Sequence, residues 1–156
     1  MDHRLDAFAA APDAINAMRK LEGYVANCGI EHSLYELVKI RASQINGCAF
    51  CIHMHTTDAR AGGETDERMH LLSAWRESPL FTPRERAALA WTEALTRIAD
   101  THAPDADYEE ARKHFTDEEL VKLTLMIGSI NVWNRIAIGF RKLHPVGDDA
   151  GLAAQA

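Results

Sequence analysis

The sequence predicts an all-α fold, and three observations support this prediction. Apolar residues recur at helical spacing in several segments, hydroxyl residues followed three positions later by glutamate mark helix starts, and strand signals are essentially absent. With 156 residues, 47% of them hydrophobic and 7% aromatic, the chain fits one compact domain. We expect a single-domain bundle of about six to seven helices over residues 12–142, between an N-terminal tail at 1–11 and a C-terminal tail at 143–156.

The first two predicted helices lie between residues 12 and 45. Pro12 suits a first helical turn, and apolar residues then recur at helical spacing until Cys28-Gly29 ends the segment. Ser33 and Glu36 form a capping-box pattern, which predicts that a second helix opens there and continues toward Ile45.

The next two predicted helices follow a strong turn signal at Asn46-Gly47. Either residue suits the position just ahead of a helix, so a third helix is expected to restart at Cys48. Gly62-Gly63 is a plausible end for it. A fourth helix is expected from about Thr65 to Trp75, because Ser78-Pro79 stops it.

The second half of the chain contains two further capping-box patterns. Thr82-Pro83-Arg84-Glu85 predicts the start of a fifth helix, which Ala103-Pro104 would break. Residues 108–114 suit a short helix. Thr116-x-x-Glu119 then opens a last long helix that is expected to reach about Arg141.

Charge and composition exclude several classes of function. The formal net charge is −6 without a long basic run, so nucleic acid and anionic membrane surfaces are poor candidates for partners. No apolar stretch reaches the length of a membrane span, and the first residues lack the regions of a signal peptide. A cytoplasmic protein is therefore expected. Three cysteines, an odd number, argue against a secreted disulfide framework, and Cys28 is expected to serve packing.

The segment after Asn46-Gly47 carries most of the functional signal. In a helix that starts there, Cys48, Cys51 and His55 stand at i, i+3 and i+7 and therefore share one face. The helix N-terminus favours thiolate, and a histidine one turn on can accept the proton or stabilise the charge. This arrangement suits a redox dithiol, in which one sulfur attacks and the other resolves the product as a disulfide.

The pattern Glu36-x11-Cys48-x2-Cys51-x3-His55 resembles the signature of the alkylhydroperoxidase D (AhpD-like) branch of the carboxymuconolactone decarboxylase superfamily. The resemblance extends through the flanking residues and covers roughly residues 12–140. It implies that Cys51 attacks the peroxide, that Cys48 resolves it, and that His55 and Glu36 relay protons. Phe50 stands where the best-known members carry a further histidine, which implies a more apolar site.

The resemblance also implies the partners of the chain. A hydroperoxide would be the substrate, and an external dithiol, carried by a lipoyl protein in one branch of the family, would be the reductant. The chemistry needs no cofactor and no metal. Family members commonly form trimers or hexamers with the site near a subunit contact, so a homo-oligomer is expected.

Other interpretations remain open from the residues. Cys48, Cys51, His53 and His55 could be a zinc set, although His53 would point away from the face that the other three share. Glu36 needs no role beyond helix capping. A decarboxylase or lactone-handling enzyme, like the other branch of the superfamily, is one alternative function, and a redox-sensing oligomer without turnover is another.

A short repeated sequence pattern raises the possibility of a duplicated helical unit. The run from Glu36 to Ile40 matches the run from Glu119 to Leu123. In the second copy, Asn131 and Asn134 stand where Cys48 and Cys51 stand in the first. Only the first copy would then carry redox chemistry.

Overall fold

The computed structural model describes residues 2–146 and confirms the all-α prediction, since that part of the chain contains no β-strand. The elements are α1 (Ala7–Ala10), α2 (Pro12–Ala26), α3 (His32–Asn46), α4 (Ala49–Ala61), α5 (Asp66–Leu71), a 3₁₀ turn (Leu72–Ala74), α6 (Pro83–Thr96), α7 (Ile98–Thr101), α8 (Asp105–Arg112) and α9 (Asp117–Gly139). None of these helices is both long and apolar enough to cross a bilayer.

Two of the three predicted capping boxes are confirmed. The hydroxyl of Thr82 accepts a hydrogen bond from the backbone N–H of Glu85, whose carboxylate accepts one from the N–H of Thr82. Thr116 and Glu119 form the same pair at the start of α9. Both helices therefore begin where the sequence places them.

The capping box predicted at Ser33 and Glu36 is wrong. Helix α3 begins at His32 behind Glu31, and no side chain caps its first turn. Glu36 instead points into the protein, where its carboxylate pairs with His55, and only 2% of the residue is exposed. The Glu36 carboxylate therefore pairs with the buried His55 ring rather than with the backbone N–H groups at the start of α3.

Other boundaries differ by part of a turn or more. The expected N-terminal tail contains α1, which Asp6 caps by accepting hydrogen bonds from two backbone N–H groups. The fifth predicted segment divides into α6 and α7 at Arg97, and the fourth ends in a 3₁₀ turn. Part of the predicted C-terminal tail, residues 147–156, lies outside the described residues.

Helix α3 lies at the centre of the bundle and packs against α4, α6 and α9. Its side chains Leu37, Val38 and Ile40 are fully buried, as are Leu123 and Met126 of α9. Each such side chain stabilises the fold by about 1.5–3 kcal/mol through burial of apolar surface. The catalytic candidates on α3 and α4 are therefore attached to helices that pack into the buried core.

Gly47 forms the junction between α3 and α4. Its φ of 71° is left-handed, a conformation that glycine adopts without the steric cost of a Cβ. The backbone N–H of Cys48 donates to the carbonyl of Ser43 at 2.9 Å, which closes the turn. The turn ends one helix and places Cys48 directly at the start of the next.

Candidate active site

The two cysteines of the motif lie together at the N-terminus of α4. Cys48 is the N-cap residue, and its Sγ accepts a hydrogen bond from the backbone N–H of Cys51 at 3.4 Å. Cys48 is 1% exposed and Cys51 2%, and both are unbridged thiols. Cys28, which lies two residues beyond the end of α2, is half-buried and packs against the main core cluster, as expected for a packing cysteine.

The pKa values of the two thiols are shifted in opposite directions. A hydrogen bond from the Cys51 thiol lowers the pKa of Cys48 to about 7, with further lowering by the backbone N–H groups of Cys51 and Phe50 and by the Asn134 side chain. The same interaction with Cys48, together with burial, raises the pKa of Cys51. The pair therefore loses one proton near neutrality and keeps the other between the two sulfurs.

Glu36 and His55 form a buried pair next to the thiols. Nδ1 of His55 lies 2.9 Å from Oε2 of Glu36. Because a carboxylate can only accept, Nδ1 carries the hydrogen, and Nε2 of the neutral ring is left as the proton acceptor. Oε1 of Glu36 lies 3.7 Å from Nε2 of His32, whose side chain is 63% exposed. No sequence pattern indicated a role for His32.

A cavity of about 570 Å³ brings the predicted residues together. Cys51, His55, Glu36 and Phe50 all line it. Cys48 is not among the lining residues, so Cys51 is the thiol of the pair that faces the cavity. The volume is within the range of small-molecule sites.

A buried ion pair beside the cavity was not predicted. Lys39 is 0% exposed, and its ammonium pairs with Glu22 and donates to Ser129 Oγ at 3.2 Å. The Glu22 carboxylate also accepts from Tyr35 Oη and, at 3.0 Å, from Trp133 Nε1. Burial acts to raise the pKa of Glu22, but the charge and hydrogen bonds of these donors outweigh it and lower that pKa.

Helix α9 supplies amide side chains to the same region. Asn46 Nδ2 donates to Oδ1 of both Asn131 and Asn134, at 3.0 and 2.9 Å. Asn134 in turn donates to Ser43 Oγ at 3.0 Å. Asn131 and Asn134, which match the cysteines in the possible repeat, thus lie across from the α3–α4 junction and stabilise it through hydrogen bonds. Helix α9 itself continues through these two positions without a break.

The four residues of the alternative zinc site do not come together in the structure. Among residues 2–146, the ligand atoms of Glu36, His55 and Asp58 lie within 4.8 Å of one another, whereas Cys48, Cys51, His53 and His55 do not form such a group. His53 stacks on His144 with ring centroids 5.1 Å apart. Burial and the charge of Glu36 raise the pKa of Asp58, which lines the same cavity.

Comparison with known proteins is consistent with this geometry. Residues 9–94 match the Carboxymuconolactone decarboxylase family. The uncharacterised protein YdfG of Bacillus subtilis is 44% identical over 138 residues, which are 88% of this chain and 94% of that protein. A crystal structure of a protein of unknown function from Agrobacterium tumefaciens, whose description suggests AhpD-type antioxidant defence, is 51% identical. It has a TM-score of 0.91 and covers 94% of this chain and 100% of its own.

More distant structures share the fold alone. An uncharacterised peroxidase-related protein from Ralstonia eutropha, with an AhpD core, is 21% identical with a TM-score of 0.77, over 93% of this chain and 76% of its own. The debrominase Bmp8, solved with 2,3,4-tribromopyrrole, is 16% identical with a TM-score of 0.78, over 94% and 79%. The fold thus occurs in proteins with different described activities. The chain belongs to the carboxymuconolactone decarboxylase family and has the AhpD-like fold.

Proposed function

We propose that this protein is a thiol peroxidase that reduces hydroperoxides with Cys51 and Cys48. The observation that carries this proposal is the cavity in which Cys51, His55 and Glu36 meet, with Cys48 in hydrogen-bond contact with Cys51. The position of Cys51 in the cavity lining, which Cys48 does not share, supports Cys51 as the attacking thiol and Cys48 as the resolving thiol.

The proposed reaction has three steps. The Cys51 sulfur attacks the terminal oxygen of the hydroperoxide, the O–O bond breaks, and the alcohol leaves with a proton while Cys51 becomes a sulfenic acid. Cys48 then attacks the Cys51 sulfur, which releases water and forms the disulfide. An external dithiol, for which a lipoyl-carrying protein is one candidate, reduces the disulfide and becomes oxidised in its place.

The polar groups next to the thiols, His55, Glu36 and Lys39, would assist deprotonation of Cys51. The first deprotonation leaves one proton between the sulfurs, and its passage to Cys48 or to Nε2 of His55 makes Cys51 the nucleophile. Glu36 orients the ring of His55 and stabilises its cationic form. The charge of Lys39 lies close enough to Cys51 to favour its thiolate, in addition to neutralising Glu22.

The first test is mass spectrometry of the intact Cys28→Ser protein before and after one equivalent of cumene hydroperoxide. We expect a loss of two hydrogens that maps to a Cys48–Cys51 disulfide and that a dithiol reverses. Cys28→Ser is the background because its thiol packs against the core away from the cavity.

Two further variants assign the roles. With Cys51→Ser added, no peroxide should be consumed, whereas with Cys48→Ser added, one oxygen should remain on Cys51 as a sulfenic acid. Unchanged thiols in the parent protein would refute the peroxidase proposal. Sulfenic acid on Cys48 in the Cys51→Ser variant would reverse the two roles.

A further inference from the structure

Much of the cavity wall is apolar. Side chains from α1, α4, α9 and the segment after α9 form it: Phe8, Phe50, Met54, Trp133, Ile136 and Leu143. Burial of an aryl or alkyl group against such a surface is favourable by about 25 cal/mol per Å² of apolar area. The body of a ligand that occupies this cavity is therefore apolar.

Two cations interrupt this apolar wall. Arg19 of α2 and Lys142, which follows α9, both line the cavity and both contact the ring of Phe8, at 5.2 Å and 4.5 Å from its centroid. Lys142 also lies over Phe50 at 4.3 Å. Within residues 2–146 neither cation forms an ion pair with a carboxylate or a side-chain hydrogen bond.

Lys142 lies in an environment that disfavours its positive charge. Burial lowers the pKa of Lys142, and the charge of Arg19 lowers it further, which outweighs the opposite effects of Cys51 and Asp6. An anion that contacts both Arg19 and Lys142 would offset the repulsion between the two charges and the partial desolvation of Lys142. The carboxylate of Glu22, which also lines the cavity, is already paired with Lys39.

We propose that Arg19 and Lys142 form a carboxylate subsite and that the substrate is an apolar hydroperoxide that carries a carboxylate. The carboxylate would bind the two cations, the apolar body would pack against Phe8 and Phe50, and the hydroperoxide would reach Cys51. This inference rests on the proposed peroxidase function and names its substrate class.

The test compares two substrates with the same reacting group. These are 4-(2-hydroperoxypropan-2-yl)benzoate and its methyl ester, and the readout is the ratio of their kcat/KM values. We expect the ratio to favour the carboxylate by about tenfold or more, as for a hydrogen bond to a charged group. The ratio should fall toward one in Lys142→Met and in Arg19→Met.

Two features of this design separate a substrate subsite from other effects. Lys142 also interacts with the charge on Cys51, but any change in thiolate reactivity acts on both substrates and cancels in the ratio. Lys20→Met is the matched control, since it removes one positive charge from an exposed position on α2 outside the cavity. It should leave the ratio unchanged.

Binding of an unreactive analogue separates this inference from the peroxidase proposal. Calorimetry should show that 4-isopropylbenzoate binds the reduced protein at least tenfold more tightly than its methyl ester, and that Lys142→Met removes the difference. Such binding without peroxide turnover would support the subsite and refute the peroxidase function. Equal affinity for acid and ester, or equal kcat/KM values, would overturn the subsite.

Discussion

Cys48 has two functions at one position, because it caps α4 and forms half of the thiol pair. Its sulfur accepts the N–H of Cys51, as a capping oxygen would in an ordinary helix. The hydrogen bonds that complete the cap also stabilise negative charge on the sulfur. The reactivity of the pair is thus a consequence of where the helix begins, and the Gly47 turn determines that position.

The titration of the pair is a direct prediction at this scale. In Cys28→Ser protein, thiolate absorbance in the ultraviolet should rise with a midpoint near pH 7, since the pKa of Cys48 is lowered to about 7. The thiolate fraction should then fall about tenfold for each pH unit below the midpoint. Peroxide consumption should follow the same rise if the shared thiolate supplies the nucleophile.

The cause of this shift can be tested separately. Adding Cys51→Ala removes the thiol that donates to Cys48, the largest contribution to the lowered pKa, so the midpoint should move upward toward the ordinary cysteine range. An unchanged midpoint would show that backbone N–H groups alone lower the pKa. A midpoint near pH 9 in the parent protein would contradict the prediction altogether.

At the scale of helices, one carboxylate connects three elements. Glu22 lies on α2, its partners Tyr35 and Lys39 lie on α3, and Trp133 lies on α9. Its three donors can reach the carboxylate together only when the three helices are in place. The network therefore fixes the wall of the cavity, at the expense of burying an ion pair.

Removal of the cation should destabilise this junction. We expect Lys39→Met to lower the free energy of unfolding by about 3 kcal/mol, because it leaves the Glu22 charge without its main partner. Urea unfolding followed by circular dichroism measures the change. Adding Glu22→Gln should recover part of the loss, since the carboxamide is neutral.

The exposed pair on α8 provides the control for this experiment. Lys113 contacts Glu110 at 2.6 Å, but both side chains are largely in solvent. Lys113→Met should therefore leave the unfolding curve nearly unchanged. A loss of stability in Lys39→Met that is no greater than in Lys113→Met would contradict the role given to the buried pair.

For the whole molecule, sequence patterns predicted the helical fold and the cluster of Cys48, Cys51 and His55, because short-range periodicity determines both. The local pattern at Glu36 was wrong only in making this residue a helix cap, because its partner His55 lies 19 residues away on another helix. The family resemblance, not the local pattern, associated Glu36 with His55. Glu22, Lys39 and Trp133 were missed because a buried ion pair across three helices leaves no local pattern. The cavity likewise joins distant segments, including α1, which was expected to be part of a tail.

The oligomeric state is a prediction at this largest scale. Val121, Leu125 and Val132 form an exposed apolar stripe along α9, and Tyr24 of α2 is also exposed. We expect these side chains to be covered in a homo-oligomer. Light scattering coupled to gel filtration should give three or six times the 17.4 kDa protomer mass. Val132→Glu should shift the mass downward, whereas a monomeric parent protein would contradict this expectation.

His32 gives the buried Glu36 carboxylate a contact with a solvent-exposed side chain that does not line the cavity. It is exposed, it lies at the far side of Glu36 from His55, and it is not among the residues that line the cavity. An organic molecule bound at Cys51 would therefore leave the exposed His32 in contact with water and with Glu36. Recharging of the base would then not have to wait until the alcohol product departs.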